Sequence, residues 1–262
     1  MEISGLGVKW PNKYPLFGVG VTATNYQEAV DLGIHAAQKG ISANITALAV
    51  HALITAKKEE MFRNQVNSFN IVVPDGQPVR WALNSLFRTK LTDRVYGPEL
   101  MLRLCKRASE LGIGIYLYGS YKTVVETLRS NLEASFPSLK IMGCEESMFR
   151  PLTREEDKLL IDRINNSGAA FLFLGLGCPL QEVFAYDHRH AIKAVQVCVG
   201  AAFDFHAGNK KIAPRWMQRN GLEWLYRFKQ EPRRLWRRYL VTNLSFVVNF
   251  CLQYFNVKKS WA

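Results

Sequence analysis

Four places in the chain hold residue types that could do chemistry. Asp75 follows an apolar run directly, in VVPDGQPVRWALN. A carboxylate at the end of a buried strand sits at the rim of a ligand cleft, where it can take a proton from an attacking hydroxyl. The tripeptide Pro-Asp-Gly is also a common turn, which is the competing local role. In FLFLGLGCPLQE, Gly175-x-Gly177 follows an apolar run and Gln181 opens the next helix. Glycines there let a backbone approach a phosphate closely, although an ordinary strand–turn–helix junction uses the same residues. Arg94 precedes VYGPEL and could fork onto a phosphate, or simply be solvated. Arg227, Arg233, Arg234, Arg237 and Arg238 crowd into the segment LYRFKQEPRRLWRRYL.

That Arg cluster belongs to a wider asymmetry. Residues 209–262 hold 12 of the chain's 34 Lys and Arg but only two of its 22 acids, Glu223 and Glu231. The first 208 residues are nearly neutral. A neutral body with a cationic, aromatic tail implies an anionic partner at one end: a lipid surface, a pyrophosphate or a nucleic acid. On one continuous helix Arg227, Arg234, Arg237 and Arg238 share a face, but Pro232 predicts a kink or a second helix.

The elements that must position these groups are legible as alternating patterns. Apolar runs at 16–21, 70–75, 113–120, 139–144, 169–177 and 194–205 read as strands. Helical periods separate them at 98–112 and 153–168, the latter opening on a Thr153/Glu156 capping-box spacing. This alternation predicts an α/β fold with a mostly parallel, Rossmann-like sheet flanked by helices, spanning 1–208, and a helical basic appendage over 209–262. Ligands then bind at the carboxyl ends of strands, where Asp75, Gly119, Ser120, Gly175, Gly177 and Asp204 fall.

Other classes are disfavoured. Five scattered Cys with no CxxC fit neither a disulfide framework nor a zinc site, and suit a reducing cytosol. The first residues lack an apolar stretch of signal-peptide length. Residues 239–257 carry no charge and are long enough to span a bilayer, but Thr242, Ser245, Asn249, Gln253 and Asn256 make a polar stripe. An amphipathic helix packing on the body, on another subunit or in a membrane interface is expected. There is no DxD pair, P-loop, GxSxG or HExxH. His188 and His190 face apart on a helix, His51 reads as a packed helix residue, and His206 is a second candidate beside Asp204.

The blocks VVPDGQPVRWA, DRVYGPELM, FLGLGCPLQEVF, VGAAFDFHAGNKKIAPRWMQRNGLEWLYR and EPRRLWRRYL together resemble the WecG/TagA/CpsF glycosyltransferases of bacterial surface-polysaccharide synthesis. They run in family order from about residue 16 to 240. The resemblance implies inverting, metal-independent transfer from a UDP-sugar, without a cofactor, to a polyprenyl-diphosphate-linked sugar at the cytoplasmic membrane face. The donated sugar is N-acetylmannosamine, its uronate or a glucose-type sugar. It implies Asp75 as base, functional Arg94 and Gln181, and an appendage that closes over the site and supplies Arg227, Arg234 and Arg237. The family's T-x-N segment has only an approximate counterpart at Thr46, in ANITALAVHALITA, so the acceptor or sugar can differ from the teichoic-acid case. Expected partners are the donor, the acceptor, an anionic membrane surface and a possible second copy, with no nucleic acid. The competing readings are a nucleic-acid module using the basic aromatic tail, and a nucleotide-cofactor oxidoreductase. The absent dinucleotide fingerprint counts against the latter.

Overall fold

The computed structural model describes residues 7–261, apart from the side chains of Arg234, Arg238 and residues 257–261. The strands are β1 (Lys13–Leu16), β2 (Val19–Thr22), β3 (Asn44–Leu48), β4 (Ile71–Pro74), β5 (Gly114–Gly119), β6 (Lys140–Glu145), β7 (Phe171–Gly175) and β8 (Val195–Cys198). The helices of the body are α1 (Tyr26–Gln38), α2 (Val50–Lys58), α3 (Glu60–Asn67), α4 (Gln77–Phe87), α5 (Gly97–Leu111), α6 (Lys122–Ser135), α7 (Arg154–Asn166), α8 (Leu180–Asp187) and α9 (Ala202–His206). The appendage holds α10 (Arg215–Arg219), α11 (Glu223–Gln230) and α12 (Pro232–Trp261).

Six strands form one parallel sheet in the order β4-β3-β8-β7-β5-β6. Central β5 and β7 are largely apolar runs because helices cover both faces of the sheet. Residues from α1, α5, α6 and α9 build the core on one face. Residues from α2, α3, α4, α7 and α8 build it on the other. The α/β architecture expected from the alternation of patterns is present, and α7 has its capping box: Thr153 and Glu156 exchange side-chain bonds with each other's backbone N–H.

Two expected strands need correction, and one strand was not expected. Residues 16–21 do not join the main sheet. Phe17 and Gly18 both take positive φ and make the turn between β1 and β2, a separate antiparallel pair. The run 194–205 is strand only to Cys198; after a turn at Gly200 its FDFH becomes α9. One strand, β3, lies outside the expected runs. Its Asn44 and Thr46 broke the apolar pattern, yet both are buried. Asn44 donates to the Ala185 carbonyl and accepts from Gln196, so the polar groups are satisfied inside the core.

The appendage breaks where Pro232 predicts. α11 ends at Gln230 and α12 starts on the proline, which costs little at a first helical position. The 30 residues of α12 pack across α2 and α4. Part of its polar stripe turns inward: Thr242 is buried, and the Gln253 amide accepts from Phe17 N–H (2.9 Å) and donates to the Pro15 carbonyl (2.8 Å). Those are backbone groups at the β1–β2 turn, so the contact ties α12 to the start of the chain. The apolar flank therefore faces outward, with Leu240, Leu244, Leu252 and Phe255 each about 60% exposed. No helix among the described residues is long and apolar enough to cross a membrane.

Candidate active site

Asp75 stands between β4 and α4. Gly76, with φ 107°, forms the N-cap of α4 and turns the chain sharply behind it. The loop after α4 then returns to the same strand end. Arg80 holds it through the carbonyls of Leu91 (3.1 Å) and Thr92 (2.8 Å), and Val95 N–H bonds the Pro74 carbonyl at 3.0 Å. This return carries Arg94 beside Asp75. Gly97 N–H, at the start of α5, donates to the Asp75 carboxyl. Both helix N-termini favour a negative charge there.

Arg94 is itself buried, with 6% of its surface exposed. One terminal nitrogen donates to Glu223 at 2.6 Å and to Gln218 at 3.1 Å, both from the appendage. Its guanidinium lies over the Tyr96 ring, 4.2 Å from the centroid. The appendage is thus tied to the body at the residue next to Asp75. Asp75, Arg94, Tyr96, Glu223 and Arg227 line one pocket of about 140 Å³ with His51, Trp224, Tyr239, Thr242 and Asn243.

Burial pushes the Asp75 carboxyl up to about 6; Glu223 adds to the rise, while Arg94, the Gly97 N–H and Arg227 pull against it. A base must be deprotonated to work, so kcat/KM should rise with pH with unit slope through about pH 6, then level off. Replacing Glu223 by Gln removes a neighbouring anion. The Asp75 pKa then falls, and the acid limb should move to lower pH. An unmoved limb would show that another group carries it.

The remaining expected site residues lie along the sheet's carboxyl edge. Gly119 and Gly175 are register partners at the ends of β5 and β7. A Cβ on Gly119 would meet the Gly175 backbone at 2.7 Å, and one on Gly175 would meet the Phe203 ring at 2.5 Å. The close approach that requires these glycines is to protein atoms. Gly177 has nothing within 4 Å of the Cβ position, and Ser120 is largely buried with φ 60°. Gln181 and Thr46 both donate to one oxygen of Glu182, at 2.8 and 2.9 Å. Glu182 is fully buried and its carboxyl is raised by that burial. The Gln181 side-chain oxygen, Oε1, is buried without a hydrogen-bond partner. Asp204, on α9, pairs with Lys210 at 2.8 Å. His206 bonds the Pro98 carbonyl at 2.9 Å, and burial lowers its pKa.

The Arg residues of the tail divide. Arg227 on α11 reaches the Asp75 pocket and lies 5.7 Å from the Phe205 ring centroid. Arg237 on α12 is exposed and packs over Trp236. The Arg234 side chain lies outside the described residues. The shared helical face expected for Arg227, Arg234, Arg237 and Arg238 needs one helix axis, and the break before Pro232 gives two. Glu223, Tyr96 and Glu182 were missed from sequence. For Glu223 a signal existed: it is an acid inside an otherwise cationic segment.

The pattern of glycosyl transferases of the WecG/TagA/CpsF family matches residues 14–260, from β1 to the end of α12. The chain belongs to that family. This glycosyltransferase is also 31% identical over 207 residues to a curated protein of Bacillus subtilis (strain 168). That relative is an N-acetylglucosaminyldiphosphoundecaprenol N-acetyl-beta-D-mannosaminyltransferase; the match covers 79% of this chain and 78% of the relative. A carboxyl whose pKa is raised toward neutrality can accept a proton, and the guanidiniums of Arg94 and Arg227 near it can hold an anion.

Proposed function

We propose that the enzyme transfers N-acetylmannosamine from a UDP-sugar to a polyprenyl-diphosphate-linked N-acetylglucosamine. The single observation that carries this reading is the Asp75 pocket, which holds a base and two arginines in a chain related to an enzyme of that activity. Asp75 takes the proton of the acceptor hydroxyl. The freed oxygen attacks the anomeric carbon, the bond from that carbon to the UDP oxygen breaks, and the configuration inverts. Negative charge grows on the departing diphosphate, where Arg94 and Arg227 stabilise it.

The acceptor's lipid chain places this chemistry at a bilayer. The outward flank of α12 suits that surface: exposed Leu240, Leu244, Leu252 and Phe255 follow exposed Arg233, Trp236 and Arg237 along the helix. Apolar side chains enter the headgroup boundary, and each Lys or Arg near an anionic leaflet adds ~1 kcal/mol. A nucleic acid backbone would meet mainly leucine and valine there, so the flank favours lipid. Leu244→Asp should weaken co-sedimentation with anionic vesicles by about ten- to a hundredfold, since burying a leucine contributes ~1.5–3 kcal/mol. Unchanged vesicle binding would remove α12 as the contact.

The reading is tested by UDP release over a panel of UDP-sugars: N-acetylmannosamine, its uronate, N-acetylglucosamine and glucose. The acceptor is N-acetylglucosaminyl diphosphate on a polyprenyl chain in vesicles, with and without excess chelator. Acceptor-dependent release is expected from UDP-N-acetylmannosamine and should persist in chelator. Preference for another sugar would overturn the donor assignment, and no acceptor dependence would overturn the reaction.

A further inference from the structure

We infer that an apolar groove between α2, α4 and α12 holds the first isoprene units of the acceptor's lipid chain. The inference rests on the acceptor reading above. The groove has a volume of about 410 Å³, within the ~300–1,000 Å³ typical of small-molecule pockets. It does not stand apart from the catalytic pocket: Val50, Pro78, Trp224 and Asn243 line both. Beyond that shared wall its lining is Trp81, Ala82, Phe246, Val247 and Phe250. Asn243 is the one amide side chain in it, and it lies on the wall shared with the catalytic pocket.

Chemistry selects the occupant. The acceptor hydroxyl must reach Asp75, and the sugar that bears it is joined through a diphosphate to an isoprenoid. The isoprenoid must leave the pocket, and in water its exposed carbon surface is costly. The groove offers an apolar exit that shares a wall with the pocket. It also runs toward the outward flank of α12. Asn243, Phe246, Val247 and Phe250 fall at helical spacing along its side, and Val247 is 55% exposed at the edge of that flank. A chain lying in the groove therefore passes from bilayer to Asp75 without crossing open water. Trp81 and Trp224 give the opposite wall flat, rigid surfaces against which an isoprenoid can pack.

The test uses the full-length protein and two probes, geranyl diphosphate and methyl diphosphate, with binding measured by calorimetry. The wild-type protein should bind the geranyl ester about a hundredfold more tightly, from the burial of several CH₂ groups. Val247→Glu, which charges the groove, and Val247→Trp, which fills it, should each cut that preference to a few-fold while leaving methyl diphosphate affinity in place. Val247 is half exposed on a helix, so both variants should keep the wild-type melting temperature. A preference that survives both substitutions, or that is absent in the wild-type protein, would overturn the groove. Because no transfer is measured, this outcome is separate from the UDP-release assay. A protein that prefers geranyl through Val247 yet transfers no sugar would retain the groove and lose the reaction.

Discussion

Asp75→Asn is expected to reduce sugar transfer by about 10²–10⁴-fold, the usual contribution of a positioned general base. Donor affinity should stay near the wild-type value, because the amide keeps the shape and the anion-holding Arg94 and Arg227 remain. Stability gives an independent check. The Asp75 carboxyl is held at about 6, above its ordinary 3.8. The folded protein therefore binds this proton more tightly than the unfolded chain, and stability is lost as pH rises through that window. An amide has no such charge to bury, so Asp75→Asn should melt at or above the wild-type temperature at neutral pH. An inactive variant that is also less stable would point to misfolding. An active one would remove Asp75 as base.

Arg94→Lys is expected to have the second largest effect, about 10²-fold on kcat with a smaller change in donor KM. Losing one donor to developing oxyanion charge typically costs ~10²–10³-fold. Lysine keeps the positive charge and so still answers Glu223 across the appendage contact. It lacks the planar fork that serves Glu223 and Gln218 from one nitrogen and leaves others for a phosphate. Arg94→Ala is the less informative change, since it strands Glu223 as a buried unpaired carboxylate, at a cost of ~3–5 kcal/mol. The measurement is steady-state kinetics on Arg94→Lys, with donor KM and kcat separated. A change confined to KM would mean that Arg94 binds donor and transition state equally, and takes no special part in the departure of UDP.

Much of the fold was legible in local patterns. The strands β4, β5 and β7 announced themselves as apolar runs ended by Pro-Asp-Gly, Gly-Ser and Gly-Leu-Gly, and the Thr153/Glu156 spacing marked the start of α7. Strand β3 was hidden because its buried Asn44 and Thr46 are satisfied by Ala185, Gln196 and Glu182, all distant in sequence. The 194–205 run hid a change of structure, because apolar residues continue through Val199, Ala201, Ala202 and Phe203 past the end of the strand.

The site was legible in part for a similar reason. Asp75 and Arg94 could be chosen because each sits at an element boundary with a chemical type that stands out. Their juxtaposition depends on the loop that Arg80 pins, which no spacing reveals. Glu223 was visible as an odd acid, but its partner is 129 residues away. The outward turn of the α12 apolar flank depends on Gln253 capping the β1–β2 turn, a contact between opposite ends of the chain. The apolar groove likewise exists only where α12 crosses α2 and α4.

A single displacement with Asp75 as the base fixes the anomeric configuration of the product. Transfer from α-configured UDP-N-acetylmannosamine to the lipid-diphosphate acceptor, read by NMR at the new glycosidic carbon, should give only the β-linked sugar. An α-linked product would require two displacements or a front-side route, and would contradict the role given to Asp75.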